Sequence, residues 1–259
     1  MILVVDVGNT NIVLGVYERS QLLHHWRLAT NRSATADEYG MQIRNLFQFS
    51  DIQVDQIEGV IISSVVPPLI YVLEQLSVKY IMKKPMFVGP GLKTGLNIRY
   101  ESPREVGADR IVNAVAAIEL YGPPLIIVDF GTATTFCYID EAGNYIGGAI
   151  APGIGISTEA LYMKAAKLPR IELVKPKSTV GRNTVTSMQA GIIFGYAGQV
   201  DGIVDRISEE FNTNPTVIAT GGSAELIASE SRRVDIVNSL LTLQGLQLIY
   251  ELNVGRPNE

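Results

Sequence analysis

The chain has 259 residues, 47% of them hydrophobic and 18% charged, with a formal net charge of −5. That provides core material for one large domain or two small ones, and the scattered Lys and Arg of an acidic chain exclude a nucleic-acid binder, which needs a clustered basic face. No uncharged apolar run reaches the roughly 18 residues needed to span a bilayer, and Asp6 interrupts the apolar start, so a soluble cytoplasmic protein with no membrane partner is expected.

Strands are expected at about 2–7, 11–17 and 21–28 as a meander. His24 and His25 on the third strand alternate to opposite faces, which does not suit a shared metal site. The polar stretch 30–37 leads into a helix at about 37–49, capped near Thr35 or Asp37. GVIISSVV at 59–66 reads as a buried strand stopped by Pro67 and Pro68, followed by an amphipathic helix over 69–82 and a short strand at 86–89. The order β-β-β-α-β-α-β indicates a mixed sheet with helices packed on it.

Residues 90–104, rich in glycine, proline and charge, form a loop. A helix follows at about 105–120, with Ile111, Val112, Val115, Ala116 and Ile118 as its apolar face, and Gly122-Pro123-Pro124 ends it. The second half repeats the plan with strands at 125–130, 133–139 and 144–150, a glycine-rich turn at 151–157 and a helix at 157–167. Cys137, the sole cysteine, falls in a strand and reads as a small buried hydrophobe. A long helix at about 185–210 carries Ile192, Ile193, Val200 and Ile203 as core or subunit interface. VIATGG at 217–222 is a strand ending in a Gly-Gly turn, with helices near 223–230 and 240–251. The division falls near residue 115, giving domains 1–115 and 116–259.

The two halves share a motif. LVVDVGNTNIVLGVY at 3–17 aligns with IIVDFGTATTFCYID at 126–140, placing Asp6 on Asp129, Gly8 on Gly131, Asn9 on Thr132 and Asn11 on Thr134. Each copy is a strand, an Asp-x-Gly turn with short hydroxyl or amide side chains, and a second strand. Glycine lets backbone N–H groups approach an anion, Asn and Thr add donors, and a carboxylate beside a phosphate implies a cation between them. Two such turns suggest a nucleotide and its metal clamped between two related domains. Gly221-Gly222 offers a flat platform for adenosine. Between the turns, Asp109 lies in the first turns of a helix, where N–H groups and the dipole favour anions, and a carboxylate there can take a proton from a hydroxyl. Taken alone, Asp109-Arg110 would be an ordinary exposed pair on a helix end.

The element order and glycine turns resemble the actin, Hsp70 and sugar-kinase superfamily. DVGNTN at 6–11, GADR at 107–110, DFGTATT at 129–135 and GRNT at 181–184 together resemble the type III pantothenate kinases, in family order over nearly the whole chain. The resemblance implies an α/β fold of two actin-like (ribonuclease H-like) domains, mixed five-stranded sheets flanked by helices, with the nucleotide cleft between them. It implies ATP-dependent phosphorylation of pantothenate to 4'-phosphopantothenate at the start of coenzyme A synthesis. ATP contacts fall on Asp6, Val7, Gly8, Asn9, Thr10, Asn11, Ile12, Val13 and Thr132. Asp109 is the proton acceptor; Tyr100, Gly107, Ala108, Asp109, Arg110 and Thr184 meet pantothenate. Asp129 is the ligand of a monovalent cation, potassium or ammonium, with Mg2+ accompanying ATP, and the assembly implied is a homodimer.

Two rival readings stand beside it. A kinase for another small polyol or amino sugar would carry sugar-binding carboxylates and amides where 90–110 offers an aromatic and an arginine. A non-catalytic nucleotide-binding regulator would not need Asp109.

Overall fold

The computed structural model describes residues 1–255. The strands β1 (Ile2–Val7), β2 (Asn11–Glu18) and β3 (Gln21–Ala29) form an antiparallel meander. On the other side of β1 come β4 (Gly59–Ser64) and β5 (Met86–Phe87) in parallel, giving the order β3-β2-β1-β4-β5. ILVVDV fills β1 because a central strand is covered on both faces, where near-continuous apolar sequence is required.

The second sheet has six strands, β6 (Asn97–Ile98), β7 (Leu125–Phe130), β8 (Ala133–Ile139), β9 (Asn144–Pro152), β10 (Thr216–Gly221) and β11 (Ile236–Val237), in the order β11-β10-β7-β8-β9-β6. Apart from β6, it repeats the first sheet strand for strand, so the duplicated turn belongs to a duplicated topology. A five-stranded sheet was expected. The sixth strand is a two-residue pairing of Asn97 and Ile98 with Asn144 and Tyr145, recruited from the 90–104 loop and too short to leave a periodic signal. With helices on the sheets, this is the α/β arrangement of two related actin-like (ribonuclease H-like) domains.

Helix α1 (Ala36–Phe49) starts on a reciprocal cap, Thr35 accepting from Glu38 N–H while the Glu38 carboxylate accepts from Thr35. It packs Tyr39, Ile43 and Phe47 with Leu3, Val5, Ile12 and Ile62. The expected 69–82 helix is α2 (Ile70–Leu76), which widens into a π-helical turn over Ser77–Ile81 and stops at left-handed Met82.

Helix α3 (Ala108–Tyr121) begins three residues later than the sequence suggests, because Pro103–Glu105 forms its own short 3-10 turn. Its buried side is Val112, Ala114, Ala116 and Ala117 with Asn113; Ile111, Val115 and Ile118 are only half-buried. Small alanines, not the larger aliphatics, permit close packing there.

Helix α4 (Ile154–Lys164) starts inside the expected glycine turn. Gly153 is its N-cap, and a methyl group there would stand 2.2 Å from Thr132 O. The long α5 (Thr184–Phe211) buries Ile193, Ala197, Val200 and Val204 on the second sheet, with Ile192 and Ile203 packed at the margin of the same core. These expected interface candidates are therefore core. The short α6 (Ala224–Ala228) follows β10, and α7 (Leu241–Val254) closes the described chain.

The chain divides into two compact units: Met1–Gly95, Ser102–Ala116 and α7 form the first, Leu96–Glu101 and Ala117–Leu240 the second. The crossing falls next to the expected residue 115. Placing everything from 116 onward in one domain does not match, because α7 returns to the first sheet. It packs on β1, β2 and β4 and buries Leu241, Leu243, Leu246 and Ile249. Gly245 sets its approach to α3, since a methyl group there would stand 2.2 Å from Val112 O. The segment 96–101 instead joins the second unit through β6 and Arg99 N–H, which donates to Tyr145 O at 2.8 Å.

Candidate active site

In the first unit the Asp6–Asn11 turn links β1 to β2. Asp6 is half-buried and pairs with Val13 on one side and Ser63 on the other. Leu3, Val5 and Val7 point into the core under α1, so strand alternation sends Asp6 to the opposite face. Gly8 N–H donates to Asn11 O at 2.9 Å and closes the turn. Thr30, at the end of β3, clamps it from outside: its N–H donates to Thr10 O at 3.0 Å, and its hydroxyl donates to Gly8 O at 2.7 Å. Arg32 Nη2 donates to Asn9 Oδ1 at 2.7 Å. Neither Thr30 nor Arg32 stands out in the sequence, although a meander must return the end of β3 to the β1–β2 turn, as the Asn11–Ala29 pairing shows.

The GADR segment meets the same edge of the same sheet. Val65, just past β4, donates its N–H to Val7 O at 3.1 Å. A methyl group on Gly107 would stand 3.8 Å from Val65 Cγ1 and only 2.6 Å from Asp109 Oδ1. Gly107 is thus the residue that lets the Asp109 carboxylate fold back over the start of α3. The structure therefore brings Gly107 and Asp109 to the carboxyl ends of β1 and β4, beside the Asp6–Asn11 turn, where open α/β sheets take their ligands.

Asp109 Oδ1 accepts from Arg110 N–H at 2.8 Å. Burial nevertheless outweighs that bond and the Arg110 charge, and holds the Asp109 carboxyl above its ordinary value. Arg110 is 9% exposed, and the neighbouring Asn113 is fixed by the Thr242 hydroxyl of α7, which donates to its Oδ1 at 2.7 Å. Ala108 opens α3.

In the second unit Asp129 is half-buried between Thr135 on β8 and Thr220 on β10. Gly221 has φ +91, a left-handed conformation that favours glycine, and a Cβ there would stand 2.5 Å from Asp129 Oδ1. The Gly-Gly turn thus makes room beside the carboxylate. Gly131 and Thr132 are exposed at the tip, with Gly131 N–H donating to Ala133 O at 3.1 Å. The Asp129 carboxylate is a hard oxygen donor of the kind that suits hard cations. No group of three or more His, Cys, Asp or Glu side chains placed to hold a metal stands together among the described residues, so a cation here would take its other ligands from backbone, water or phosphate. His24 and His25 are exposed, and His24 stacks on Trp26 with ring centroids 5.7 Å apart.

Tyr100 lies at the β6 edge of the second sheet, its ring against Gly147 and edge-on to Tyr145. Cys137 is buried beside the Tyr145 hydroxyl. Thr184 is exposed as the first residue of α5. The cap of α5 is Asn183, which accepts from Thr186 N–H at 2.9 Å. The Thr184 hydroxyl is left out of the capping bonds.

A family model described as type III pantothenate kinase matches residues 2–206. The type III pantothenate kinase of Brevibacillus brevis is 62% identical over 253 residues, covering 98% of this chain and 99% of that protein. The one from Bacillus cytotoxicus is 63% identical, covering 98% and 97%. Among solved structures, the activator of the 2-hydroxyisocaproyl-CoA dehydratase from Clostridium difficile, with bound ADPNP, superposes with a TM-score of 0.55 at 12% identity, covering 100% of this chain and 98% of the other. At that identity the likeness is one of fold.

Proposed function

The chain belongs to the type III pantothenate kinase family, and from that premise we propose how its residues divide the ATP-dependent phosphorylation of pantothenate, the first step of coenzyme A biosynthesis. Asp109 is the base. It takes the proton of the primary hydroxyl as the oxygen bonds to the γ-phosphorus and the bond from that phosphorus to the bridging oxygen of ADP breaks. The observation that carries this role is a carboxylate with a raised pKa at the start of α3, beside the Asp6–Asn11 turn. A base closer to neutrality transfers the proton with a better balance of availability and driving force.

Asp6, Val7, Gly8, Asn9, Thr10, Asn11, Ile12 and Val13 form one phosphate cradle, and Thr132 contacts ATP from the second DxGT turn. Gly107, Ala108 and Arg110 receive pantothenate, Arg110 meeting its carboxylate, with Tyr100 and Thr184 as further contacts. Mg2+ accompanies ATP. Asp129 would hold a monovalent cation, potassium or ammonium, which offsets charge between carboxylate and phosphate; the room that Gly221 leaves beside its carboxylate supports this.

A cytoplasmic homodimer completes the reading. No helix among the described residues is long and apolar enough to cross a membrane. In support of a dimer, Gly191, Gly195, Gly198 and Gly202 fall at helical spacing on α5, and a Cβ at each would meet nothing within 4 Å. On the neighbouring α4, Ile156 and Met163 are exposed.

The test is an ATP-consumption assay across small hydroxyl acceptors. Pantothenate should be phosphorylated. Turnover of N-acetyl sugars or glycerol with pantothenate untouched would overturn the acceptor assignment and favour the sugar-kinase alternative.

A further inference from the structure

The Asp6–Val13 turn region and the second turn, residues 129–135, contain no lysine or arginine. A cradle built from N–H groups, amides and hydroxyls still faces the several negative charges of a triphosphate. Phosphoryl transfer requires that charge to be offset where it develops. Among the described residues, Arg32 is a basic side chain bonded to the turn itself: its Nη2 donates to Asn9 Oδ1 at 2.7 Å.

The segment that carries Arg32 is fixed at each step. Thr30 is bonded to Thr10 O and Gly8 O, as described above. Asn31 N–H donates to the hydroxyl of buried Tyr39 at 2.7 Å, and Ser33 N–H donates to Asn31 Oδ1 at 3.0 Å. The Thr35 cap of α1 follows at once. Arg32 itself is exposed and forms no ion pair among the described residues, so the charge of its guanidinium is not spent on a carboxylate. A guanidinium carries five N–H donors in a planar fork, and Asn9 uses one of them.

We propose that Arg32 is a phosphate-contacting residue that binds the terminal phosphates of ATP over the Asp6–Asn11 turn. The end of the nucleotide follows from position. The phosphorus under attack must be within reach of the hydroxyl whose proton Asp109 takes, and Asp109 shares its sheet edge with this turn. The anion over the turn is therefore the γ end of ATP. Arg32 also orients Asn9: with Oδ1 accepting from the guanidinium, the amide NH2 is the part of Asn9 left to donate to phosphate. This inference rests on the kinase reading above, and its test is separable from it.

Equilibrium binding by titration calorimetry of AMP, ADP and a non-hydrolysable β,γ-substituted ATP analogue, to wild type, Arg32→Lys and Arg32→Gln, reads the contact without turnover. Arg32→Gln should weaken the ATP analogue by roughly tenfold to a hundredfold, the scale of charge-assisted hydrogen bonds, while AMP changes less than about twofold. Arg32→Lys should recover part of the loss, and in the coupled assay kcat should fall with pantothenate KM nearly unchanged. Equal weakening of AMP, ADP and analogue would show that Arg32 only holds the turn in shape, and unaltered binding of the analogue would remove the contact; either result overturns the proposal. Wild-type protein that binds the analogue but leaves pantothenate unmodified would overturn the acceptor assignment, while the binding series still decides Arg32.

Discussion

Asp109 combines opposing influences in one side chain. Burial raises its pKa, while the Arg110 N–H bond and the Arg110 charge lower it by less. Asp109→Asn keeps shape and hydrogen bonding but accepts no proton, so turnover should fall roughly 10²–10⁴-fold with ATP affinity little changed. Near-wild-type turnover in folded Asp109→Asn would move the base elsewhere. The direction of the shift also has a sign in stability. The folded protein holds the Asp109 proton more tightly than the unfolded chain, so the associated stabilisation is complete below the ordinary value of 3.8 and is lost as pH rises through the folded value. Chemical denaturation across that window should therefore show wild type losing stability relative to Asp109→Asn as pH climbs; parallel curves would count against a raised pKa. At the second turn, wild type with Mg·ATP should be faster in potassium than in sodium alone, and Asp129→Ala should abolish that difference. Equal rates in the two salts, with Asp129→Ala still active, would defeat the cation role and leave the kinase assignment standing.

Among the elements, α7 has a position that sequence does not disclose. Leu241, Leu243, Leu246 and Ile249 are at most 2% exposed, on the face of the first sheet opposite α1. Burying four such side chains contributes about 6–12 kcal/mol, comparable with the whole stability of an ordinary domain. A chain ending at Leu240 should therefore fail to fold its first unit, read as lost protection of β1 and β4 amides in hydrogen exchange; native-like protection would mean that α7 is peripheral. Its apolar periodicity marks it as a helix in the sequence, but periodicity names a face and not the sheet it covers. The same limit explains other differences. Strand alternation and the Asp-x-Gly repeat place β1, β2, β7 and β8 within a residue, because both faces of these strands are buried and their turns are marked by glycine. The cap at Thr35 is legible because Glu38 stands three residues on. By contrast, β6 has two residues, and the first turn of α4 is hidden by Gly153 and Gly155, which read as a loop although one caps the helix and the other lies inside it. In the site, Asp6, Asp129 and Asp109 are marked by local motifs, whereas Thr30 and Arg32 reach the turn only through the pairing of β2 with β3.

At the scale of the whole molecule, α5 ties folding to the proposed dimer. One side of this 28-residue helix is core, with Ile193, Val200 and Val204 fully buried. The glycines at 191, 195, 198 and 202 open on space. Four glycines in one helix are costly for an isolated chain, each about 1 kcal/mol less favourable than alanine. Among the described residues, no atom outside their own stretch of α5 stands within 4 Å of a Cβ placed at any of them. A second helix approaching closely would use that space, which is the role the homodimer reading gives them. Replacing two of them with leucine separates the effects. Gly195→Leu/Gly198→Leu should favour the helix within one protomer, by about 1–2 kcal/mol from propensity alone, while its added bulk blocks a close partner. Sedimentation velocity should then show a dimer for wild type and a monomer for the double variant, with unchanged far-ultraviolet circular dichroism. A double variant that still sediments as a dimer would remove this face of α5 from the interface and leave the exposed apolar side chains of α4 as the surface to substitute next.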